Sequence, residues 1–373
     1  MHKIFFSLLL LAWLLMACSG KKNAPTNPEA ASTPSDTTAL AQTVADSPAP
    51  LPPLETGEFT LDDEKVFGKD IELTGTNIVE PDTFIFKPTG PRMVLNDNLL
   101  ILSSWNGPFY VFTQPGFKYV KTIGRMGNGP DEFNSPVVFP SDDPQYVCYL
   151  TDQYLGKVYG VDKDLNMHFL KRLFDDGGVS TYLDRETTCP SGRDTVTYQL
   201  KSTLYRASLS DSTPGHKIHS LQMKSLGNMP FIGALGTNAE RNRMVFAYKY
   251  AKIVKFMDLE AKQVRILNFQ KSGFDEGTMH KVDGLDANMT HYMQVLPTRD
   301  YVFLTYSGQV PYDVGKDKNY FMWVEQYDWN GNPIRRFKIK DFSINAIVSR
   351  DASRLILTAY YHDDPFVVYD LPE

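Results

Sequence analysis

The 373-residue sequence is poor in cysteine, in excess positive charge and in recognisable nucleophile motifs. It has three cysteines, no Cys-x-x-Cys pair and no closely spaced set of histidine and cysteine, which argues against a structural zinc site. The net charge of −6 argues against a nucleic-acid-binding protein and gives no reason to expect binding to anionic lipid. No Gly-x-Ser-x-Gly or comparable nucleophile motif is present, and the sequence predicts no catalytic residue, metal or cofactor.

The longest apolar run stands at the start of the chain, from Ile4 to Met16, and is too short for a comfortable membrane span. Preceded by a short basic stretch, it is typical of a signal peptide. The sequence LMAC that ends at Cys18 resembles the bacterial lipobox. The resemblance implies a signal peptide at residues 1–17 and acylation of Cys18, which would hold the protein on a membrane of the cell envelope. An ordinary secretory signal with a chance cysteine is the alternative.

The segment after Cys18 predicts where the protein sits. Residues 19–22 (SGKK) contain no acidic residue, whereas some surface-exposed Bacteroidetes lipoproteins resemble one another in an acidic run there. The resemblance therefore favours the outer membrane facing the periplasm, with the cell surface as the alternative. Residues 18–57 are rich in Pro, Ala, Ser and Thr and have no aromatic residue, so we expect a disordered or polyproline II-like linker.

Residues 58–373 carry a repeated pattern of short apolar strands and polar turns. The copies align on one apolar residue in the presumed third strand of each: Val111, Val158, Leu204, Val254, Val324 and Val367. The steps are 47, 46, 50, 70 and 43 residues, and the longest contains an insertion near residues 310–319. A repeat of about 40–50 residues without helical periodicity indicates an all-β fold, a six-bladed β-propeller with four-stranded antiparallel blades. A β-sandwich and a seventh blade within residues 59–92 remain alternatives.

The last copy ends at its third strand, because only Pro372 and Glu373 follow it. A ring that is not closed leaves a sheet edge exposed. We therefore expect an N-terminal segment, residues 69–74 (KDIELT), to supply the missing outer strand.

Residues 122–133, TIGRMGNGPDEF, are predicted to cross from the first blade to the second. Their Gly and Pro residues suit a tight turn. The stretch resembles the G-x-x-G-x-G-P-x-E-F signature of NHL-like and TolB-like six-bladed propellers, including Bacteroidetes lipoproteins. The matching residues are Gly124, Gly127, Gly129, Pro130, Glu132 and Phe133. The resemblance implies a fold and a location but no catalytic residue; we expect Phe133 to pack on the next blade and Glu132 to bond backbone amides across the blade joint.

In a propeller, the turns between second and third strands and the crossovers between blades open on one face. On that face we expect Trp105, Asn106, Arg125, Asp131, Asp152, Tyr154, Tyr248, Tyr250, Tyr306, Tyr360, Tyr361 and His362. Aromatic rings with polar tips and a few charges suit a site for sugars or peptides, although rings also pack between loops.

The leading hypothesis is a lipid-anchored, non-enzymatic module that binds a peptide, a protein partner or a glycan through this face. The alternative is a hydrolase or lyase acting on a carbohydrate or lactone, with its site in the central channel. Cys148 and Cys189 could pair in an oxidising compartment, but cysteines on separate segments more often lie too far apart.

Overall fold

The computed structural model describes residues 50–78, 92–96, 98–104, 107–174, 186–227, 229–271, 274, 277, 279–359, 361–362, 364 and 366–372. All of them belong to one compact unit, residues 47–373. Cys18, Trp105, Asn106 and Tyr360 lie outside the described residues, as do the signal peptide and most of the linker.

The described chain begins with an extended segment, residues 50–78, which we call the strap. It contains β1 (Gly57–Thr60), α1 (Asp63–Phe67), β2 (Ile71–Glu72) and β3 (Thr76–Asn77). Asp62 caps α1, since its Oδ1 accepts a hydrogen bond from the amide of Glu64 at 3.2 Å.

Six sheets follow, and within each the strands of the repeat itself are antiparallel and lie in sequence order. Blades 1 and 2 consist of β4 (Met93–Asn96), β5 (Leu99–Ser104), β6 (Gly107–Thr113), β7 (Tyr119–Ile123), then β10 (Pro136–Phe139), β11 (Cys148–Asp152), β12 (Lys157–Val161) and β13 (Met167–Arg172). The crossover between them contains a short parallel pair, β8 (Arg125–Met126) and β9 (Glu132–Phe133). Blade 3 consists of β14 (Thr188–Gly192), β15 (Thr195–Leu200), β16 (Thr203–Ser208) and β17 (His216–Ser220), followed by a 3₁₀ turn, Lys224–Leu226.

Blades 4 to 6 complete the ring. Blades 4 and 5 consist of β18 (Gly233–Asn238), β19 (Arg243–Tyr248), β20 (Ile253–Met257), β21 (Val264–Asn268), then β24 (Thr290–Pro297), β25 (Tyr301–Gln309), β26 (Met322–Asp328) and β27 (Pro333–Ile339). Blade 6 has β28 (Ala346–Val348), β29 (Arg354–Thr358) and β30 (Phe366–Asp370). Two insertions interrupt this region: the hairpin β22 (Lys281–Val282) with β23 (Leu285–Asp286), and α2 (Pro311–Asp317).

The predicted repeat is confirmed strand by strand. All six alignment residues lie in the third strand of their blade, and each is at most 1% exposed. A residue at this place packs between neighbouring blades, so its apolar character is required by the fold. The longest step has a second cause that was not predicted, because the hairpin β22–β23 adds to the insertion that forms α2.

The strap closes the ring, but not with the predicted segment. Within KDIELT, Ile71–Glu72 pairs in parallel with β27 of blade 5, while Thr76–Asn77 supplies the fourth strand of blade 6. β1 likewise adds to blade 4, so the strap passes three blades in turn. Between β2 and β3 lies Gly75, where a Cβ atom would fall 2.6 Å from side-chain atoms of Val367 and Tyr369. Only glycine fits this close approach.

Cys148 and Cys189 are free and buried, on the second strand of blade 2 and the first strand of blade 3. In the part of the chain that the structure describes, neither helix has the length and apolarity that a membrane span needs.

Candidate functional site

Strand direction alternates within every blade, so two kinds of connection share one face. The loops between second and third strands and the crossovers between blades lie on what we call the loop face. The remaining turns lie on the opposite face, which we call the turn face. The loop face is the face on which the site residues were expected.

The crossover from blade 1 to blade 2 is shaped by Glu132. Its Oε2 accepts a hydrogen bond from the amide of Gly129 at 2.8 Å, inside the crossover itself. A Cβ atom at Gly127, whose φ is +151°, would lie 2.1 Å from that carboxylate oxygen. The glycines of the signature therefore make room for the glutamate that fastens the turn.

Phe133 joins the two blades, as expected. It is 1% exposed, and its ring meets Phe109 of blade 1 at 5.1 Å and Tyr159 of blade 2 at 5.4 Å, both edge-on. The Tyr159 hydroxyl donates to the carbonyl of Pro130 at 2.5 Å. The signature is thus accounted for by the blade joint.

Asp152 serves the backbone rather than the surface. Its Oδ2 accepts from the amides of Asn134 and Ser135, and its Oδ1 from those of Tyr154 and Leu155. The residue is completely buried. Near it, Arg125, Asp131 and Tyr154 are exposed on the loop face.

Two of the expected tyrosines meet in a cleft of about 470 Å³ at the joint of blades 4 and 5. Tyr250 and Lys252 come from the second loop of blade 4, whereas His291 and Tyr306 come from strands of blade 5. The crossover between these blades, the end of β25 and the strap complete the lining with Asp63, Phe269, Gln270, Lys271, Phe274, Ala287, Asn288, Met289 and Val310. The two insertions of the fold therefore stand beside this cleft.

The floor of the cleft is a buried ionic network. The Lys252 ammonium lies 2.5 Å from Asp63 of the strap and 3.8 Å from Glu325, which is completely buried. It also lies 4.0 Å from the centre of the Tyr306 ring. Glu325 in turn accepts hydrogen bonds from the hydroxyls of Tyr292 and Tyr327, at 3.1 and 2.7 Å. Opposite charges are thus paired out of water.

Burial sets the protonation of this network. Burial and, secondarily, the charge of Lys252 lower the pKa of His291 to about 4, so the ring is neutral near pH 7. Burial also raises the pKa of Tyr306 well above its ordinary value. For Glu325, burial raises the pKa although Lys252 and the two tyrosine hydroxyls act against it. The floor therefore holds the Lys252 ammonium between two carboxyl groups, those of Asp63 and Glu325.

The crossover beside the cleft, which we call its rim, carries exposed apolar side chains, of which Met289 also lines the cleft. Met279, Leu285 and Met289 of the crossover between blades 4 and 5 are 40%, 41% and 43% exposed. Methionine adapts its shape to different partners and is common on binding surfaces. These three side chains therefore form an exposed apolar group on this crossover.

A second group lies at blade 6. Tyr361 and His362 hydrogen-bond to the Oδ1 of Asp341, at 3.0 and 2.7 Å, and Tyr369 donates to its other oxygen. The ring of Tyr361 stacks on Tyr320 at 4.1 Å. These contacts tie the last loop to the blade 5 insertion. Among the described residues, no group of three or more His, Cys, Asp or Glu is placed to hold a metal.

Tyr248 does not reach the surface. It is completely buried, and its hydroxyl donates to the carbonyl of Leu221 at 2.5 Å. The expectation that it faces a ligand was wrong, because it is the last residue of a second strand and its ring turns into the joint with blade 3.

Polar side chains near the first strands join blades that are not all neighbours in the ring. Arg92, at the start of blade 1, donates to the carbonyl of Thr188 in blade 3 at 2.6 Å and lies 3.9 Å from Glu186. Gln294 of blade 5 lies 3.5 Å from Glu186 and accepts from the amide of Ala346 in blade 6 at 2.7 Å. These groups connect four blades near the axis.

Comparison with known proteins supports the fold. A family model described as a 6-bladed beta-propeller, DUF5128, matches residues 81–169, which include blade 1 and the signature. No curated protein matches the chain. A solved structure of a DUF4221-family member from Bacteroides vulgatus has 14% identity and a TM-score of 0.54 over 82% of this chain and 96% of that one.

Two further solved structures are similar over most of their length. A Bacteroides fragilis protein has 14% identity and a TM-score of 0.46, with 84% of this chain and 98% of that one covered. The β-propeller domain of Myceliophteria thermophila Cps50 (Swd1) has 8% identity and a TM-score of 0.45, with 80% and 100% covered. The protein is a six-bladed β-propeller, and at these identities the similarity concerns the fold alone.

Sequence reasoning missed Asp63, Lys252, His291 and Glu325. One signal was available for Lys252, because it interrupts the apolar run YAKIVKFM, and a buried lysine beside a buried strand needs a partner. Its partner Asp63 lies 189 residues away, in a segment with no repeat pattern.

Proposed function

We propose that this protein is a lipid-anchored binding module of the bacterial cell envelope, which engages a peptide, a protein partner or a glycan through the loop face at blades 4 and 5. The observation that carries the proposal is the cleft lined by Tyr250, Lys252, His291 and Tyr306, with its apolar rim. Propellers hold such loops on a rigid scaffold, which favours specific binding.

The location is part of the same proposal. The lipobox-like sequence before Cys18 supports acylation, and the absence of acidic residues after it supports the periplasmic side of the outer membrane. The signature of residues 124–133 supports a place among the TolB-like and NHL-like envelope lipoproteins.

We expect the anchor to be lost in the variant Cys18→Ser. The wild-type chain should incorporate labelled palmitate and sediment with outer membranes, because several acyl chains hold a protein firmly on a bilayer. The variant should incorporate none and should appear in the periplasmic fraction if it is still exported. Equal labelling of the two chains would exclude acylation at this cysteine.

The binding face is tested by Met289→Arg in affinity capture from native membranes. The matched control is Ile334→Arg, because Met289 and Ile334 are 43% and 40% exposed and lie towards opposite faces. We expect the loop-face variant to lose the captured partner at least about tenfold, the effect of removing a central apolar contact, with an unchanged melting temperature. The turn-face variant should capture it normally. If both variants capture the partner equally well, the cleft is not the binding site.

A further inference from the structure

Three cationic side chains from three different elements converge on Asp63 of the strap. Its Oδ2 lies 2.5 Å from Lys252 of blade 4 and 3.1 Å from Arg336 of blade 5. Its Oδ1 lies 3.7 Å from Lys271 of the crossover, and within the described residues that buried atom has no hydrogen-bond partner. The carboxylate is therefore surrounded by positive charge but held firmly through only one oxygen.

The strap has several attachments besides this contact. β1, β2 and β3 pair with three blades through the backbone. Asp70 gives the strap a second ionic link, since it accepts from Arg336 at 2.6 Å and from the Trp323 indole at 2.8 Å. Burying a further carboxylate costs desolvation free energy, and only an ion pair with good geometry compensates for that cost.

We infer that the cleft is a carboxylate-binding site that is occupied in this structure by the chain's own Asp63. A ligand carboxylate would take the place of Asp63 and would meet Lys252 on the floor and Lys271 at the mouth. The Lys271 ammonium lies 3.7 Å from Asp63 and 3.9 Å from Glu64, which are loose ion-pair distances. Because the side chain is also 71% exposed, it is free to turn towards a ligand. This inference rests on the proposed function and names the ligand chemistry of the same cleft.

The ligand carboxylate could belong to either of two kinds of molecule, a peptide or an acidic sugar. Beside the lysines, the cleft presents Phe274, Met289 and Val310, which would cover an apolar side chain next to a peptide carboxylate. The test uses N-acetyl-L-leucine and D-glucuronate as probes, each beside its neutral amide. Isothermal titration calorimetry is performed on the full chain, wild type and Asp63→Asn.

The Asp63→Asn variant is expected to bind one of the two carboxylates about tenfold more tightly than the wild type, the scale of one charge-assisted hydrogen bond. The neutral amides should bind the two proteins equally. The carboxylate that responds identifies the source. If Asp63→Asn, with the strap still protected from protease, binds neither carboxylate more tightly than the wild type, the inference is wrong.

Lys271→Met in the wild-type background gives a second readout, because it leaves Asp63 and the strap intact. It should weaken binding of the carboxylate several-fold, whereas Lys65→Met, which changes an 83% exposed lysine outside the cleft, should leave it unchanged. If Lys271→Met and Lys65→Met bind the carboxylate equally well, the inference is wrong. This comparison remains valid even if Asp63→Asn loosens the strap, because both lysine variants keep Asp63. If Met289→Arg abolishes capture while both carboxylate tests fail, the cleft is a binding site for another chemistry.

Discussion

Single buried residues determine much of how this protein responds to its surroundings. Glu132 bonds a backbone amide, as expected, although it does so within its own crossover and not across the blade joint. Asp152 was expected on the surface and instead satisfies four amides. Sequence reveals that an acidic residue is present near a turn, but whether its carboxylate faces solvent or the backbone depends on the local conformation of that turn.

His219 makes folding stability depend on pH. It lies on the outer strand of blade 3 and accepts from the buried ammonium of Lys255 in blade 4, at 3.3 Å. Burial and the charges of Lys255 and Lys217 lower its pKa to about 4, from the ordinary value of 6.5. Because the unfolded chain takes up this proton more readily, the stability is fully present above pH 6.5 and is lost as the pH falls towards 4.

We therefore expect His219→Gln to reduce the loss of stability on acidification, by at most about 3 kcal/mol between pH 6.5 and pH 4. Urea unfolding at both pH values measures the effect. His291, whose pKa is lowered in the same direction, leaves a residual slope in the variant. An unchanged pH dependence would mean that His219 is not held neutral in the folded state.

At the scale of elements, the strap and the crossover of blades 4 and 5 were the hardest to predict. The six third strands were visible because each carries a buried apolar residue at a regular interval. β2 and β3 have two residues each, and two residues carry no periodicity. Their pairing is decided by where the chain meets an open sheet edge, which only the folded ring defines.

Two inserted elements, the hairpin β22–β23 and α2, explain why the cleft lies at the joint of blades 4 and 5. Blade 5 is flanked by the hairpin β22–β23 and contains α2, and Leu285 of the hairpin approaches Gly315 of α2. The insertion near residues 310–319 was predicted from the repeat step, since it lengthens the spacing. The hairpin was not, because its strands are two residues long and its sequence is polar.

For the whole molecule, the fold was predictable and the site was predictable only in part. Every blade of a propeller packs against its neighbours in the same way, so buried apolar residues recur at a regular spacing in the sequence. Apart from the buried Tyr248, those expected face residues that the structure describes fall into three groups, near blade 2, at the joint of blades 4 and 5, and at blade 6, and of these Tyr250 and Tyr306 line the cleft. The charges beneath them come from segments far apart in the chain, and no local pattern connects them.

Photo-cross-linking in living cells shows whether the loop face at blades 4 and 5 is the surface that binds a partner. A photoreactive amino acid is placed at position 289 on the loop face or at position 334 towards the turn face, two sites of similar exposure. We expect a discrete cross-linked species from position 289 and none from position 334. If a species forms only from position 334, or from neither position, the loop face at blades 4 and 5 is not the binding surface.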